Sequence, residues 1–177
     1  TTDNVTIILV YDEPVDSLSG ATLTNYLIDG GITLLSTTAI APLFNQVQLK
    51  TTTPLLANTV YTITASNVKD CKNNNIGAAN KAKVGLPVDA AAGEWIINEI
   101  LFNPKPNGTD YVEIYNRSNK IIDLKQTYIA NRNTVGVISN IKQLSTDNYL
   151  LFPQDFMVIT EDPAIVKKDF ITQNMDA

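Results

Sequence analysis

The sequence predicts an all-β protein of two β-sandwiches in tandem, with one short helix near the C-terminus. Apolar runs rich in β-branched residues recur at intervals of roughly ten residues and alternate with turn residues, which is typical of sandwich folds. The first half shows no helical period of apolar residues. A stretch of small residues with one proline, between residues 82 and 93, interrupts the strand pattern and indicates a boundary between two domains.

Composition narrows the classes of function. Of 177 residues, 44% are hydrophobic and 18% are charged, with a net charge of −5, so the chain can fill a core and carries no basic surface. Nucleic acid and anionic membranes are therefore unfavourable partners. No apolar run approaches the ~18 residues of a membrane span, so we expect no membrane insertion. The chain has no histidine, and its single Cys71 cannot form an intramolecular disulfide.

The strands of the first half follow from local pattern. Strands are predicted over residues 4–11, 25–28, 32–35, 46–50 and 60–65. Alternation puts Val47 and Leu49 on a core face, and Tyr61, Ile63 and Ala65 on another. A tyrosine just after the corner at residues 54–58 matches the tyrosine corner of Greek-key sandwiches. Asp29-Gly30-Gly31 is predicted to be a turn that needs positive φ.

Several short motifs of the first half occur in the order found in a known family. They are Tyr11-Asp12-Glu13-Pro14-Val15-Asp16, Asn25-Tyr26, Val47-Gln48-Leu49, Leu55 with Val60-Tyr61-Thr62-Ile63, and Val68-Lys69-Asp70 with Asn73-Asn74-Asn75-Ile76. With these motifs, residues 4–85 resemble the bacterial Ig-like domain first described in S-layer proteins. In the closing loop an asparagine, Asn73 or Asn74, replaces the family's glycine, and asparagine also tolerates left-handed backbone. The resemblance implies a non-catalytic spacer in an extracellular protein.

Asp12, Glu13 and Asp16 form a small acidic cluster in this half. One interpretation is a weak calcium site, since calcium needs several oxygen ligands that converge from one or two loops. The other, which we prefer, is a solvated turn that ends the first strand after Pro14. No Cys or His residues in the sequence have the spacing of a metal site, and we expect no cofactor.

The second half begins with a run that is too apolar for a surface strand, residues 96–102, which we predict either to lie between two neighbouring strands or to span the fold. Further strands are predicted over residues 110–116, 121–124, 127–130, 135–139, 148–152 and 156–160. In the first of these strands alternation separates Val112 and Ile114 from Tyr111, Glu113 and Tyr115. Asp162 as N-cap and Pro163 at the first helical position predict the short helix.

This half also carries a family pattern. It comprises Ile97-Asn98-Glu99-Ile100, Asn103-Pro104, Asp110-Tyr111-Val112-Glu113-Ile114-Tyr115-Asn116, Ile122-Asp123-Leu124, Tyr128-Ile129, Phe156-Met157-Val158-Ile159-Thr160 and Asp162-Pro163. These residues resemble the lamin tail domain, which implies an Ig-like β-sandwich and, in bacteria, an exported protein. The predicted organisation is thus an Ig-like domain over residues 1–86, a linker over 87–93, and a lamin-tail-like domain over 94–177.

The family pattern usually continues past the short helix with further strands. We therefore expect the second sandwich to be C-terminally incomplete, with an uncovered sheet edge that exposes backbone groups and apolar side chains. Such an edge predicts self-association, for example by exchange of a strand between two copies.

The carboxylates Glu99, Asp110 and Glu113 invite two interpretations. They suit an acid–base pair or a metal cluster. They also belong to the fold signature, together with Asn98 and Asn116, and these polar groups are able to fasten the loop over residues 103–109. We prefer the second interpretation because the sequence has no histidine, no phosphate-binding loop and no nucleophile elbow.

We therefore predict a non-enzymatic, secreted or cell-surface bacterial module for adhesion, spacing or protein interaction. Its expected partners are proteins or cell-surface glycans. The alternative is an accessory segment of a larger secreted hydrolase, a nuclease or phosphoesterase, whose catalytic domain lies outside these residues. DNA binding is a further class, which the acidic composition disfavours.

Overall fold

A computed structural model describes residues 3–146 and 148–170, apart from the side chain of Gln126. The chain is all-β, as the sequence predicts, with antiparallel sheets throughout its thirteen described strands. It divides after Leu86 into two compact units. Residues 171–177 of the second predicted domain lie outside the described residues. Neither described helix has the length or the apolar run that crossing a membrane requires.

The first unit contains two three-stranded sheets that share one core. Its strands are β1 (Thr6–Val10), β2 (Tyr26–Ile28), β3 (Leu34–Ala39), β4 (Gln46–Thr51), β5 (Tyr61–Ala65) and β6 (Lys81–Val84). The sheets have the orders β1-β4-β3 and β2-β5-β6. Val47 and Leu49 from one sheet meet Ile28 and Ile63 from the other, and all four side chains are buried. The alternation predicted for β4 and β5 is therefore confirmed.

Two turns fix how the strands of this unit meet. Gly30 and Gly31 both have positive φ, as predicted. A Cβ at Gly30 would lie 2.8 Å from the Tyr61 ring, so the turn packs directly on that ring. The Tyr61 hydroxyl accepts a hydrogen bond from the backbone N–H of Leu56 at 3.2 Å, which is the bond expected of a tyrosine corner.

The first unit also contains a helix that the sequence analysis missed. Helix α1 (Ser17–Gly20) is a single turn, too short to show a periodic apolar pattern. Asp16 begins it, since its carboxylate accepts the Ser19 N–H at 2.8 Å. Strand β3 starts two residues later and ends four residues later than predicted. Its end was missed because its last residues are Ser, Thr and Ala, which do not stand out as a hydrophobic strand.

The second unit contains a three-stranded sheet, a two-stranded sheet and a separate hairpin. Its strands are β7 (Trp95–Leu101), β8 (Tyr111–Asn116), β9 (Ile122–Asp123), β10 (Tyr128–Arg132), β11 (Ile138–Gln143), β12 (Leu150–Leu151) and β13 (Phe156–Thr160). The pairings are β13-β8-β7, β12-β9 and β10-β11. Ile114 of the first sheet packs with Ile122 and Leu151 of the second in a buried core. Helix α2 (Pro163–Asp169) begins at Asp162, as predicted, because Asp162 accepts the Ile165 N–H at 3.1 Å.

The prediction that residues 96–102 lie between two strands is wrong. Strand β7 pairs only with β8 and forms an edge of its sheet within the described residues. Ile97, Ile100 and Phe102 are 50%, 53% and 81% exposed, so the apolar side chains that suggested a central position face solvent instead. An apolar run indicates what a strand needs to bury, but it does not show that a partner is present.

Residues 87–93, predicted as a linker, make hydrogen bonds within the second unit. The N–H of Val88 donates to Ile121 O at 3.0 Å, and Ala90 packs against the core. Arg117 donates through Nε to Gly93 O. This stretch is folded onto the unit because its small residues allow close approach and its backbone has partners there.

Candidate functional site

The structure brings two of the three candidate carboxylates together. A register shift in β7 between Ile97 and Glu99 sets Glu99 directly opposite Glu113 of β8. Such a bulge lets consecutive residues, Asn98 and Glu99, reach the same region of the sheet. Asp110 precedes β8, and its carbonyl oxygen accepts from the Thr160 hydroxyl at 2.8 Å. Asp110 thus lies just before the start of β8, three residues from Glu113, and is not a member of the pair.

Each carboxylate of this pair already accepts a hydrogen bond. Tyr111 donates its hydroxyl to Glu99 Oε1 at 2.7 Å, and Asn98 donates through Nδ2 to Glu113 Oε1 at 2.7 Å. Like charges opposite each other destabilise a strand pair, and these two donors offset that cost. The bond to Glu99 and partial burial raise the pKa of Tyr111 to about 12. Both acids lie on an open sheet face, and each of the two hydrogen bonds joins a side chain of β7 to one of β8.

Aromatic side chains occupy the rest of this face. Tyr115 stacks on Phe156 across β8 and β13, with ring centroids 4.4 Å apart. Tyr111 meets Phe170, which follows α2, edge to face at 5.4 Å. A sheet face turned to solvent is usually polar, so aromatic residues here provide a surface suited to contact with another molecule.

Asn116 is the polar centre of the second unit. Its side chain is fully buried, and Nδ2 donates to the backbone oxygens of Lys120, Leu151 and Phe152 at 2.7–3.1 Å. Its Oδ1 accepts from the Ser118 N–H and hydroxyl. Asn116 therefore fastens the turn after β8 and the end of β12. The prediction that Asn116 fastens the loop over residues 103–109 is wrong, because Asn116 lies at the opposite end of β8 from that loop.

In the acidic cluster of the first unit (Asp12, Glu13 and Asp16), Asp16 has a structural role. Asp16 caps α1, and the Ser19 N–H lowers the pKa of its carboxyl. Across residues 3–146 and 148–170, no three His, Cys, Asp or Glu side chains are grouped closely enough to hold a metal ion, and Asp12 and Glu13 are exposed. The geometry thus gives Asp16 a partner in the backbone.

A cleft in the second unit was not foreseen. It has a volume of about 550 Å³ and is lined by Val88, Asp89, Trp95, Ile122, Asp123 and Tyr128, among others. We call it the Trp95 cleft. Ile122 is buried, Trp95 is half-buried, and Tyr128 is 56% exposed. An apolar floor with aromatic walls and a few polar groups is typical of ligand sites.

One wall of the cleft is the stretch that precedes β7. Lys120 holds this wall, since its ammonium lies 2.8 Å from the Glu94 carboxylate and 3.3 Å from Asp89 O. The ammonium of Lys120, followed by the N–H of Ala91, lowers the pKa of the Glu94 carboxyl. On another side, Asp123 Oδ1 accepts the Lys125 N–H at 3.0 Å, which orients that carboxylate. The backbone of this wall and the carboxylate of Asp123 are thus held in place by contacts within the unit.

Sequence reasoning missed the cleft because its residues come from three separate segments, over residues 87–90, at Trp95 and over residues 122–128. No spacing rule joins them. The signal that was available is Trp95, the single tryptophan of the chain, beside a proline-containing stretch that had been interpreted as a linker.

Comparison with known proteins gives little further detail. No family model matches the sequence. No curated protein matches it either. Among solved structures, surface layer protein SbsC, domains 1-6, aligns with a TM-score of 0.42 and 18% sequence identity, over 78% of this chain and 17% of that one. The chain thus spans less than a fifth of that structure.

Proposed function

We propose that this chain is a non-catalytic part of an exported cell-surface protein, and that it serves as a spacer and an interaction module. In this proposal the first unit is an Ig-like spacer of the S-layer type, and the second is a lamin-tail-like domain that contacts proteins or glycans. The observation that supports a non-catalytic role is the environment of Glu99 and Glu113. These two residues are the strongest candidates for catalysis in the chain, yet each accepts a hydrogen bond from a neighbouring side chain on an open sheet face.

Catalysis by two carboxylates needs a proton donor and an acceptor that converge on an enclosed substrate. Here Asn98 and Tyr111 each donate a hydrogen bond to one oxygen of a carboxylate, and the two acids lie on an open sheet face that does not enclose a substrate. The absence of histidine removes the usual alternative base. The aromatic face and the Trp95 cleft suit binding, which needs surface and shape and no reactive group.

Two measurements test the proposal. Antibodies raised against the chain should label intact cells of the organism that encodes it as strongly as permeabilised ones. Labelling that requires permeabilisation would overturn the assignment to the cell surface.

The second measurement addresses catalysis. The purified chain should leave chromogenic phosphodiesters and glycosides unchanged, and Glu113→Gln should behave in the same way. Turnover by the wild type that disappears in Glu113→Gln would show that the pair is an active site.

A further inference from the structure

We infer that the Trp95 cleft binds one ring of a neutral sugar. This inference deepens the proposed function and rests on it, because it names the class of ligand that the second unit recognises. The volume of about 550 Å³ falls within the range of small-molecule sites, roughly 300–1,000 Å³. The cleft therefore has room for a ring-sized ligand with its bound waters.

The aromatic walls suit the apolar face of a sugar ring. Tyr128 is 56% exposed at the start of β10, and Trp95 lies at the start of β7. Both side chains combine a flat apolar body with a polar tip that forms a hydrogen bond. The buried Ile122 forms the floor of the cleft. The carbon atoms of a sugar ring that point inward would therefore contact an apolar side chain and be removed from water.

The polar groups suit hydroxyls. Asp89 and Asp123 line the cleft, and a carboxylate accepts hydrogen bonds from several hydroxyls at once. Asp123 Oδ1 accepts a hydrogen bond from the Lys125 N–H, which fixes the orientation of the carboxylate. A carboxylate oriented in this way accepts further hydrogen bonds from the hydroxyls of a ligand. Oriented acceptors beside an aromatic wall distinguish a polyhydroxylated ligand from a purely apolar one.

Charge argues against anionic ligands. The carboxylates of Asp89 and Asp123, which line the cleft, repel an anion. Lys120 does not offset them, because its ammonium is paired with Glu94, outside the lining residues. A neutral polyhydroxylated ligand meets no such repulsion and donates hydroxyls to both carboxylates, and choline tests the competing case of a cation.

Trp95 gives a direct readout, since it is the only tryptophan in the chain and lines the cleft. The whole chain is titrated with glucose, galactose, mannose and N-acetylglucosamine, and Trp95 fluorescence is followed. At least one sugar should give a saturable change. Tyr128→Ala should weaken that binding about five- to tenfold through loss of one aromatic wall. Asp89→Asn should weaken it as well, because an amide accepts fewer hydrogen bonds than a carboxylate.

Val135→Ala is the matched control, because Val135 is exposed in the turn after β10 and does not line the cleft. It should bind like the wild type, and all variants should keep the wild-type melting temperature. No saturable change with any of the four sugars would overturn the inference, as would saturation by choline or by acetate instead. A failure here leaves the cell-surface proposal intact, since antibody labelling tests that independently.

Discussion

The hydroxyl of Tyr111 donates a 2.7 Å hydrogen bond to the carboxylate of Glu99 across the β7–β8 pair. The two side chains lie on the face that also carries Glu113. Ionised tyrosine would have to lose this bond and sit beside two negative charges. Glu99 therefore holds the tyrosine in its neutral form, and the tyrosine in turn tempers the repulsion between the two acids.

The first prediction concerns the titration of Tyr111. Its pKa is raised to about 12, first by the hydrogen bond to Glu99, and Glu99→Gln should bring it back toward the ordinary value of about 10. NMR of ¹³C-labelled tyrosine measures this, with Tyr111→Phe for assignment. An unchanged pKa in Glu99→Gln would contradict the role given to that bond.

This shift also fixes a direction of pH dependence. Because the pKa of folded Tyr111 lies above that of the unfolded chain, its contribution to stability is fully present below about pH 10. The contribution is lost as the pH rises from there to about 12. Urea unfolding at several alkaline pH values should show a smaller loss over this window for Tyr111→Phe than for the wild type.

The second prediction is that Asn116→Ala destabilises the second unit by about 2–4 kcal/mol, since it strands buried backbone carbonyls without a donor. The carbonyls concerned belong to Lys120, Leu151 and Phe152. Urea unfolding followed by Trp95 fluorescence reports on this unit alone, because the first unit has no tryptophan. Asn119→Ala, an exposed position in the same turn, should change stability by less than about 0.5 kcal/mol.

The third prediction separates the two interpretations of Asp16. Because Asp16 caps α1, Asp16→Ala should lower the urea concentration at the midpoint of unfolding of the first unit, and Asp16→Asn should keep most of that stability. Because the pKa of its carboxyl is lowered, the contribution is present above the ordinary pKa and is lost as the pH falls through the lowered value. A calcium ligand would behave differently: millimolar calcium would raise the melting temperature, and Asp16→Asn would abolish that rise.

The fourth prediction concerns self-association through the edge of β7. Ile97 and Ile100 are about half exposed on a strand whose outer edge has no partner in the described chain. We expect dimers at high concentration in light scattering, and Ile100→Lys should return the chain to a monomer. Val135→Lys adds the same charge to another exposed position and should leave the dimers intact. Monomers at every concentration would contradict the prediction.

Local pattern predicted the elements whose burial alternates. Strands β4, β5 and β8 were foreseen because one face of each meets a core and the other does not, so the period of two appears in the sequence. Helix α2 was foreseen from Asp162 and Pro163, whose roles are purely local.

Features that depend on tertiary partners were not foreseen. The edge position of β7 depends on which strands are present beside it, and its composition alone suggests burial. The end of β12, which Asn116 also fastens, lies 35 and 36 positions later in the chain. The Trp95 cleft joins three segments that only folding brings together. In each case the deciding contact is long-range, and local propensity carries no information about it.

The packing of the Gly30 turn on the Tyr61 ring has a consequence for evolution. A side chain at position 30 would have to occupy space within 3 Å of ring atoms of Tyr61, in a backbone conformation that favours glycine. The two positions are therefore under joint selection. Homologues of this unit that have tyrosine at position 61 should have glycine at position 30. Other residues at position 30 should occur only in homologues that lack the aromatic ring at position 61.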